Sequence, residues 1–383
     1  MPDVSPTRWH LAHTSWFFET FILKPADSQY RSPDAMYDFL FNSYYNLIGD
    51  RWARPARGLL TRPTVKEIFE YRHHVTQSLE RFIETCELET LQPYCATIEL
   101  GINHEQQHQE LMITDLKHVF ALNPLHPVYQ DAEIVKRVEH IDPIVWKEFD
   151  EGLYEIGHRG DGFAFDNESP RHRVYVDAFS LANRLTTAGE YLEFMNAGGY
   201  AKPELWLSDG WALVQAEALR APLYWHLEND GLWWQMTLSG YRPVEPSEPV
   251  THISFYEAEA FAAWSGARLP SEEEWEIAAS GAPIEGSFVE AANFHPAPLQ
   301  SDRGMQQLYG EVWQWCGSSY LPYPGFKAAE GAIGEYNGKF MSNQMVLRGA
   351  SCATPHSHAR LTYRNFFPPS ARWQFSGIRL ARS

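Results

Sequence analysis

The chain has 383 residues, a hydrophobic fraction of 44% and a formal net charge of −18 at pH 7, so it is long enough for two folded domains. The acidic balance, without a clustered run of lysine and arginine, argues against a nucleic-acid partner, and no apolar run is long enough for a membrane helix. Residues 1–5 lack the features of a signal peptide, and four cysteines are too few for a disulfide framework, so we expect a cytoplasmic protein. The acidic balance makes small-molecule substrates the reasonable expectation. A homo-oligomer is possible.

The first third of the sequence predicts helices. Ser5 followed by Pro6 is typical of a helix start, with the serine as N-cap and the proline at the first helical position, and Pro25 ends that segment. Two further helices are predicted, from Val65 to about Glu87 and from about Ala96 to Leu122. The long connection from Tyr37 to Arg62 is rich in aromatic residues and arginine, which predicts a functional loop.

From about Trp146 the pattern changes to short strand-like runs, such as Arg173 to Val176, between glycine, proline and asparagine turns. Three helices are predicted within it: Thr187 to Asn196, Ser254 to Ser265, and one that Ser271 caps with Glu274 at the capping-box position. We therefore predict an α+β protein, with a helical bundle over residues 1–135 and an irregular α+β domain over residues 136–383.

His104 and His108 are four residues apart on the third predicted helix, so they point the same way and can share one metal ion. The stretch also matches H-E-x-x-H, the zinc-protease signature, with Glu105 as general base and His118 as an available third ligand. The glycine that turns a metzincin chain towards its third histidine is missing. Taken alone, the motif is equally compatible with two histidines on an amphipathic helix.

The first predicted helix adds His10 and His13 on a face with apolar neighbours. A lone histidine there is more often a core residue than a ligand. A helix that offers one histidine beside another that offers His-x-x-x-His, however, brings three imidazoles together in a helical bundle. Three neutral histidines with open positions suit iron, zinc or nickel, and the sequence pattern does not choose among these metals.

Two sets of motifs carry a more specific resemblance. The N-terminal set comprises Ser5 to Glu19 and His104 to Glu110, and the C-terminal set comprises Ala267 to Glu276, Gly310 to Trp315, Arg348 to Ser351 and Ser376 to Leu380. In this order they resemble the ergothioneine-biosynthetic sulfoxide synthases, which join a DinB-like helical bundle to a domain like the formylglycine-generating enzyme, of C-type-lectin architecture. The resemblance covers nearly the whole chain.

This resemblance implies that His13, His104 and His108 hold Fe(II), and that His10 has a packing or supporting role. It also implies a reaction, in which O2 serves as co-substrate and a thiol, cysteine or γ-glutamylcysteine, is joined to C2 of the imidazole of hercynine (Nα-trimethylhistidine). The product is a sulfoxide. Three protein ligands would leave three positions of an octahedron for the imidazole, the thiolate and O2.

The resemblance also implies substrate contacts. Gln107 would hydrogen-bond hercynine, and the guanidinium of Arg54 or Arg51 would anchor the carboxylate of the sulfur donor, since arginine matches a carboxylate bidentately. A late segment that resembles the lid over hercynine contributes an amide and two aromatic rings, Asn365, Phe366 and Phe367. Aromatic faces suit a trimethylammonium group, although the two phenylalanines could instead belong to the core.

Tyr44 and Tyr45 are implied as catalytic residues. The chemistry needs a phenol that donates a proton or hydrogen atom to partly reduced oxygen. One branch of the family takes this tyrosine from its C-terminal domain, and another uses an N-terminal tyrosine pair, which this chain resembles. The pair also favours free cysteine as the sulfur donor.

Several alternatives remain. Cys316 and Cys352 do not lie where the formylglycine-generating enzyme has its copper-binding cysteines, so we expect them to be buried small hydrophobic residues, which argues against sulfatase activation. A related ovothiol or selenoneine synthase is one alternative, and a zinc- or nickel-dependent DinB-type thiol transferase with a passive binding domain is another. A zinc protease is the third.

Overall fold

The computed structural model describes residues 4–131, 141–160, 162–299 and 304–383. The chain forms two compact units, one of Met1–Leu116 with Lys327–Lys339 and one of Lys117–Phe326 with Phe340–Ser383. The predicted boundary between residues 135 and 136 falls outside the described ranges and stays a prediction. The predicted α+β class is confirmed. None of the helices in the described ranges combines the length and the apolar character that crossing a membrane requires.

Along the described parts of the chain, helices come first and a mixture of short strands and helices follows. The helices are α1 (Thr7–Phe18), α2 (Lys24–Ala26), α3 (Tyr37–Phe41), α4 (Val65–Thr85), α5 (Leu88–Leu91), α6 (Cys95–Ala121), α7 (Ala188–Asn196), α8 (Ser208–Glu217), α9 (Phe255–Trp264) and α10 (Glu272–Ala279). The strands are β1 (Trp146–Phe149), β2 (Gly152–Ile156), β3 (His172–Val176), β4 (Phe179–Ala182), β5 (Trp225–Leu227), β6 (Trp233–Thr237), β7 (Gly240–Pro243), β8 (Trp313–Ser319), β9 (Met345–Gly349), β10 (Asn365–Phe367), β11 (Ser376–Gly377) and β12 (Ala381–Arg382). A π-helical turn, Glu19–Leu23, joins α1 to α2.

The predicted cap of the first helix is wrong. The N-cap residue of α1 is Pro6, and no side chain caps the helix. Ser5 instead donates its backbone N–H to Asp115 Oδ2 at 2.9 Å, and its hydroxyl accepts a hydrogen bond from Arg57 at 3.1 Å. Because these distant groups satisfy the serine, its hydroxyl does not turn back on the first turn of α1.

The other two predicted helices of the N-terminal unit are confirmed within two residues. Helix α4 starts after Thr64, which forms a reciprocal capping box with Glu67. In α6, Gly101 leaves room for aromatic rings from α1, since a Cβ at this position would lie 2.5 Å from Phe18 Cε1. Helices α1 and α4 also pack against each other.

The C-terminal unit contains a four-stranded sheet in the order β10-β9-β8-β11, in which β11 is parallel to β8 and the other pairs are antiparallel. Gln314 on β8 accepts hydrogen bonds from Trp275 Nε1 at 2.8 Å and Arg379 Nε at 2.7 Å. Buried Arg348 on β9 pairs with Glu276 on α10. The C-terminal motif segments therefore meet in the core of this unit, and their shared residues hold its fold together.

Glu311, two residues before the start of β8, is a buried acid. Glu311 is 6% exposed and accepts hydrogen bonds from the backbone N–H groups of Ala297, at 2.6 Å, and Ser287, at 3.4 Å. Burial raises the pKa of its carboxyl to about 8.

Cys316 and Cys352 are free and buried, as predicted.

Helices α7, α9 and α10 are confirmed with the predicted starts. Thr187, Ser254 and Ser271 each accept a hydrogen bond from the backbone of a glutamate three residues later, in full capping boxes. Helix α8 is not predicted by the sequence pattern. It starts after Leu207 without a side-chain cap, so the usual start signal is missing.

Candidate metal centre

Three buried histidines from two helices converge in the N-terminal unit. His13 lies on α1, and His104 and His108 lie one turn apart on α6, as the sequence predicts. One ring nitrogen from each lies within 4.8 Å of the others. The three residues are 0%, 2% and 8% exposed. The three residues thus form a candidate site for a metal ion with three protein ligands.

Each histidine is oriented differently. His13 Nδ1–H donates to the carbonyl oxygen of Phe41 at 2.6 Å, so its Nε2 carries the lone pair. The ring of Trp9 stacks on His13 with centroids 4.8 Å apart. His108 Nδ1 lies 2.8 Å from His10 Nδ1, and His104 Nδ1 is buried without a hydrogen-bond partner among the described residues.

Burial keeps these imidazoles neutral. It lowers the pKa of His13 and of His108 well below the usual value, and His104 adds to the effect in both cases. Burial, and then His10, lowers the pKa of His104 to about 3. Neutral imidazoles have a free lone pair, so all three can bind a metal ion at neutral pH.

The spacing of one pair of ring nitrogens fits a shared ion. His13 Nε2 and His104 Nε2 are 3.2 Å apart. Two nitrogens that bind one ion at right angles, with bonds of about 2.1 Å, lie about 3 Å apart. The donor set contains nitrogen only, and imidazole suits iron, zinc, copper or nickel. Glu105, the general base of the zinc-protease alternative, forms an ion pair with Arg72.

Three tyrosines of this unit form a contiguous group, and one of them, Tyr336, contacts the histidine cluster. Tyr45 is fully buried, and burial, followed by the nearby Tyr44, raises the pKa of its phenol well above the usual value. The rings of Tyr44 and Tyr45 lie 4.6 Å apart. Tyr336, from the segment of residues 327–339 that belongs to the same unit, packs edge-on against His104 with centroids 5.6 Å apart. Its hydroxyl donates to Gln107 Oε1.

Sequence reasoning missed Tyr336. It is 229 residues from Gln107 along the chain, and no local pattern marks it. The segment around it is anchored on the loop that carries Tyr44. The Glu335 carboxylate accepts hydrogen bonds from the backbone N–H groups of Asn46 and Leu47, at 3.1 and 2.9 Å.

The arginines of the predicted functional loop differ in environment. Arg51 and Arg54 are exposed, and Arg51 donates to Asn46 Oδ1 at 2.5 Å. Arg57 is 4% exposed, and its guanidinium lies 3.4 Å from the centre of the Trp9 ring. The anchoring of a substrate carboxylate by Arg51 or Arg54 stays a prediction.

The predicted lid residues form strand β10 of the C-terminal unit. Phe366 stacks on Tyr320 with centroids 4.0 Å apart, and Asn365 Oδ1 accepts a hydrogen bond from Phe366 N at 2.9 Å. Phe366 therefore contacts the core of that unit, and Phe367 packs against Trp373. Substrate contacts by these residues stay a prediction.

Comparison with known proteins gives matches over the whole chain. The family model of the sulfatase-modifying factor enzyme 1-like domain matches residues 148–301 and 286–383. The chain is 29% identical to hercynine oxygenase of Mycolicibacterium thermoresistibile over 99% of this chain and 88% of that one. It is 28% identical to hercynine oxygenase of Mycobacterium tuberculosis over 99% of this chain and 91% of that one. Ergothioneine biosynthesis protein 1 of Schizosaccharomyces pombe is 27% identical over 58% of this chain and 28% of its own length.

Proposed function

The chain belongs to the family of sulfatase-modifying factor enzyme 1-like domains, and from this membership and the three-histidine cluster we propose that it is an iron-dependent hercynine oxygenase of ergothioneine biosynthesis. The observation that carries the proposal is the cluster of His13, His104 and His108, in a chain that two hercynine oxygenases match over 99% of its length.

The proposed reaction joins hercynine, a thiol and O2. The C2–H bond of the imidazole and the S–H bond of the thiol break, and a C–S bond forms. One oxygen atom becomes the sulfoxide oxygen, and the other leaves as water with the two released hydrogens. The four electrons that reduce O2 come in two pairs, one from C–S bond formation and one from oxidation of the sulfur. The thiol is cysteine or γ-glutamylcysteine.

His13, His104 and His108 would hold the iron. Bound Fe(II) would supply a redox-active Lewis acid with open positions for the substrates and O2. The chain keeps these three side chains neutral through burial, and the hydrogen bond from His13 to the Phe41 carbonyl directs one lone pair into the cluster. The protein thereby prepares the ligands before the ion arrives, so little reorganisation is needed.

The phenols would supply protons. A phenol is protonated at neutral pH, and the raised pKa of Tyr45 keeps it so, which means that its hydroxyl, or that of the adjacent Tyr44, has a proton to donate. The amide oxygen of Gln107 accepts a hydrogen bond from Tyr336, and its NH2 group would donate to the imidazole of hercynine. The hydrogen bond from Tyr336 would thus help to orient this amide towards the substrate.

The test is an oxygen-uptake assay on protein loaded with Fe(II) under anaerobic conditions. We expect O2 consumption that requires both hercynine and a thiol, with equal amounts of the three consumed and the sulfoxide found by mass spectrometry. A lack of hercynine-dependent O2 consumption with either thiol would contradict the proposal.

A pair of variants on one helix controls for damage to the fold. His108→Asn should abolish both iron binding and O2 uptake. His118→Asn should retain both, because His118 is equally buried on α6 but hydrogen-bonds Tyr224, with 3.0 Å between His118 Nδ1 and the tyrosine hydroxyl. Equal losses in the two variants would mean that the effect of His108→Asn is structural.

A further inference from the structure

A buried chain of hydrogen bonds links one proposed ligand to a carboxylate. His10 on α1 lies between His108 and Asp115, with its Nδ1 2.8 Å from His108 Nδ1 and its Nε2 3.1 Å from Asp115 Oδ2. We propose that Asp115 and His10 are positioning residues that fix the ring nitrogen His108 presents to a metal ion. This inference rests on the proposed metal-binding role of His13, His104 and His108.

The direction of the hydrogen bonds follows from counting protons. The backbone N–H of Ser5 donates to Asp115 Oδ2 at 2.9 Å, so this oxygen is an acceptor, and His10 Nε2 at 3.1 Å from it must carry a hydrogen. A neutral His10 then has its lone pair on Nδ1. Since only one of two facing nitrogens can donate, His108 Nδ1 must carry the hydrogen of the 2.8 Å bond. His108 is left with a free lone pair on Nε2, the nitrogen available to a metal.

The opposite arrangement is unfavourable. If a neutral His10 carried its hydrogen on Nδ1, its Nε2 lone pair would face the carboxylate oxygen of Asp115 in a buried site. His10 is 3% exposed and Asp115 5%, so water does not compensate for such a contact. The carboxylate therefore selects one tautomer of His10, and His10 selects one tautomer of His108.

The surrounding side chains hold the hydrogen-bonded chain of Asp115, His10 and His108, here called the relay, in a fixed position. Trp9 packs edge-on against His10 with centroids 5.6 Å apart, and the Arg57 guanidinium covers the Trp9 ring at 3.4 Å. Arg57 also donates to the Ser5 hydroxyl at 3.1 Å, which secures the segment whose N–H binds Asp115. His108 and Asp115 are two turns apart on α6, so His10 bridges one face of that helix.

His108 differs from His13 in this respect. His13 is oriented by a backbone carbonyl, which no substitution removes, whereas His108 depends on two side chains that can be exchanged. This makes the contribution of the relay measurable. Removal of a partner that orients a metal-bound histidine typically weakens metal affinity by about 10- to 100-fold.

The experiment compares His10→Phe with His10→Gln. Phenylalanine fills the space of the imidazole but accepts no hydrogen bond, whereas the glutamine oxygen can accept from His108 Nδ1 and so restore the missing partner. Co(II) serves as the probe, with affinity measured by chelator competition and coordination followed by its visible absorption spectrum, in the absence of hercynine, thiol and O2. Asp115→Leu tests the outer member of the relay, and His118→Gln on the same helix is the control.

We expect His10→Phe to weaken Co(II) binding by about 10- to 100-fold and to alter the spectrum, and His10→Gln to recover most of the affinity. Asp115→Leu should weaken binding less than His10→Phe, and His118→Gln should leave it unchanged. Near-ultraviolet circular dichroism of the metal-free proteins establishes that each variant is folded. Unchanged binding in His10→Phe, or equal losses in His10→Phe and His10→Gln, would overturn the proposal.

The outcome is separable from that of the proposed function. The experiment measures metal binding alone. Wild-type protein that binds Co(II) but shows no hercynine-dependent O2 uptake would therefore refute the proposed oxygenase function without affecting the proposed positioning role of His10 and Asp115. Oxygenase activity of the wild type together with unaltered Co(II) binding in His10→Phe would refute the positioning role without affecting the proposed oxygenase function.

Discussion

Exchange of the buried acid Glu311 for glutamine should remove one contribution to the pH dependence of the free energy of unfolding. In the folded protein burial raises the pKa of this carboxyl to about 8, while in the unfolded chain it has the ordinary value for glutamate. Between these two values the folded state binds more protons than the unfolded state, so the free energy of unfolding falls as pH rises. From pH 5 to pH 7 the loss amounts to about 2–3 kcal/mol.

Glu311→Gln has nearly the same shape and no charge to desolvate. Its free energy of unfolding relative to wild type should therefore rise by about 2–3 kcal/mol between pH 5 and pH 7. Urea denaturation followed by tryptophan fluorescence at the two pH values measures this double difference, in which the titration of all other groups cancels. A difference between variant and wild type that is the same at both pH values would refute the reasoning, since Glu311 would then titrate alike in the folded and unfolded states.

Three further predictions concern the proposed site. Tyr44→Phe or Tyr45→Phe should shift the products from C–S coupling towards thiol dioxygenation by about tenfold or more, measured as the ratio of sulfoxide to sulfinic acid by mass spectrometry; an unchanged ratio in both variants would exclude the pair as the proton donor. Tyr336→Phe should raise the KM for hercynine more than it lowers kcat, because Gln107 loses the donor that orients its amide; a change in kcat alone would contradict this role. Gly101→Val should destabilise the protein by about 1–3 kcal/mol and weaken Co(II) binding, because the new Cβ meets a ring of α1; unfolding at the wild-type urea concentration would count against it.

The sequence predicted those parts of the molecule that depend on local chemistry. Thr187, Ser254 and Ser271 mark helix starts through contacts within one turn. Their capping boxes can therefore be recognised from the sequence without knowledge of the tertiary structure. His104 and His108 share a face because of helix periodicity alone. Their convergence with His13 needed the further assumption that two helices of a bundle pack side by side.

The remaining features depend on distant partners. Ser5 has the residue type and position of an N-cap, yet Asp115 and Arg57 satisfy it instead. Tyr336 contacts Gln107 across 229 residues of sequence, in a segment without helical or strand periodicity. The role of His10 likewise depends on an aspartate 105 residues away. In each case the deciding interaction is a tertiary contact, which no local pattern encodes.

The most direct test of the central claim is product analysis under ¹⁸O2. Protein loaded with Fe(II) is mixed with hercynine and cysteine, and the products are identified by mass spectrometry, in parallel with the His108→Asn and His118→Asn variants. The account predicts a hercynine–cysteine sulfoxide that carries one ¹⁸O atom, formed by wild type and His118→Asn but not by His108→Asn. Absence of this product from wild-type protein with cysteine and with γ-glutamylcysteine, or its formation by His108→Asn at the wild-type rate, would contradict the account.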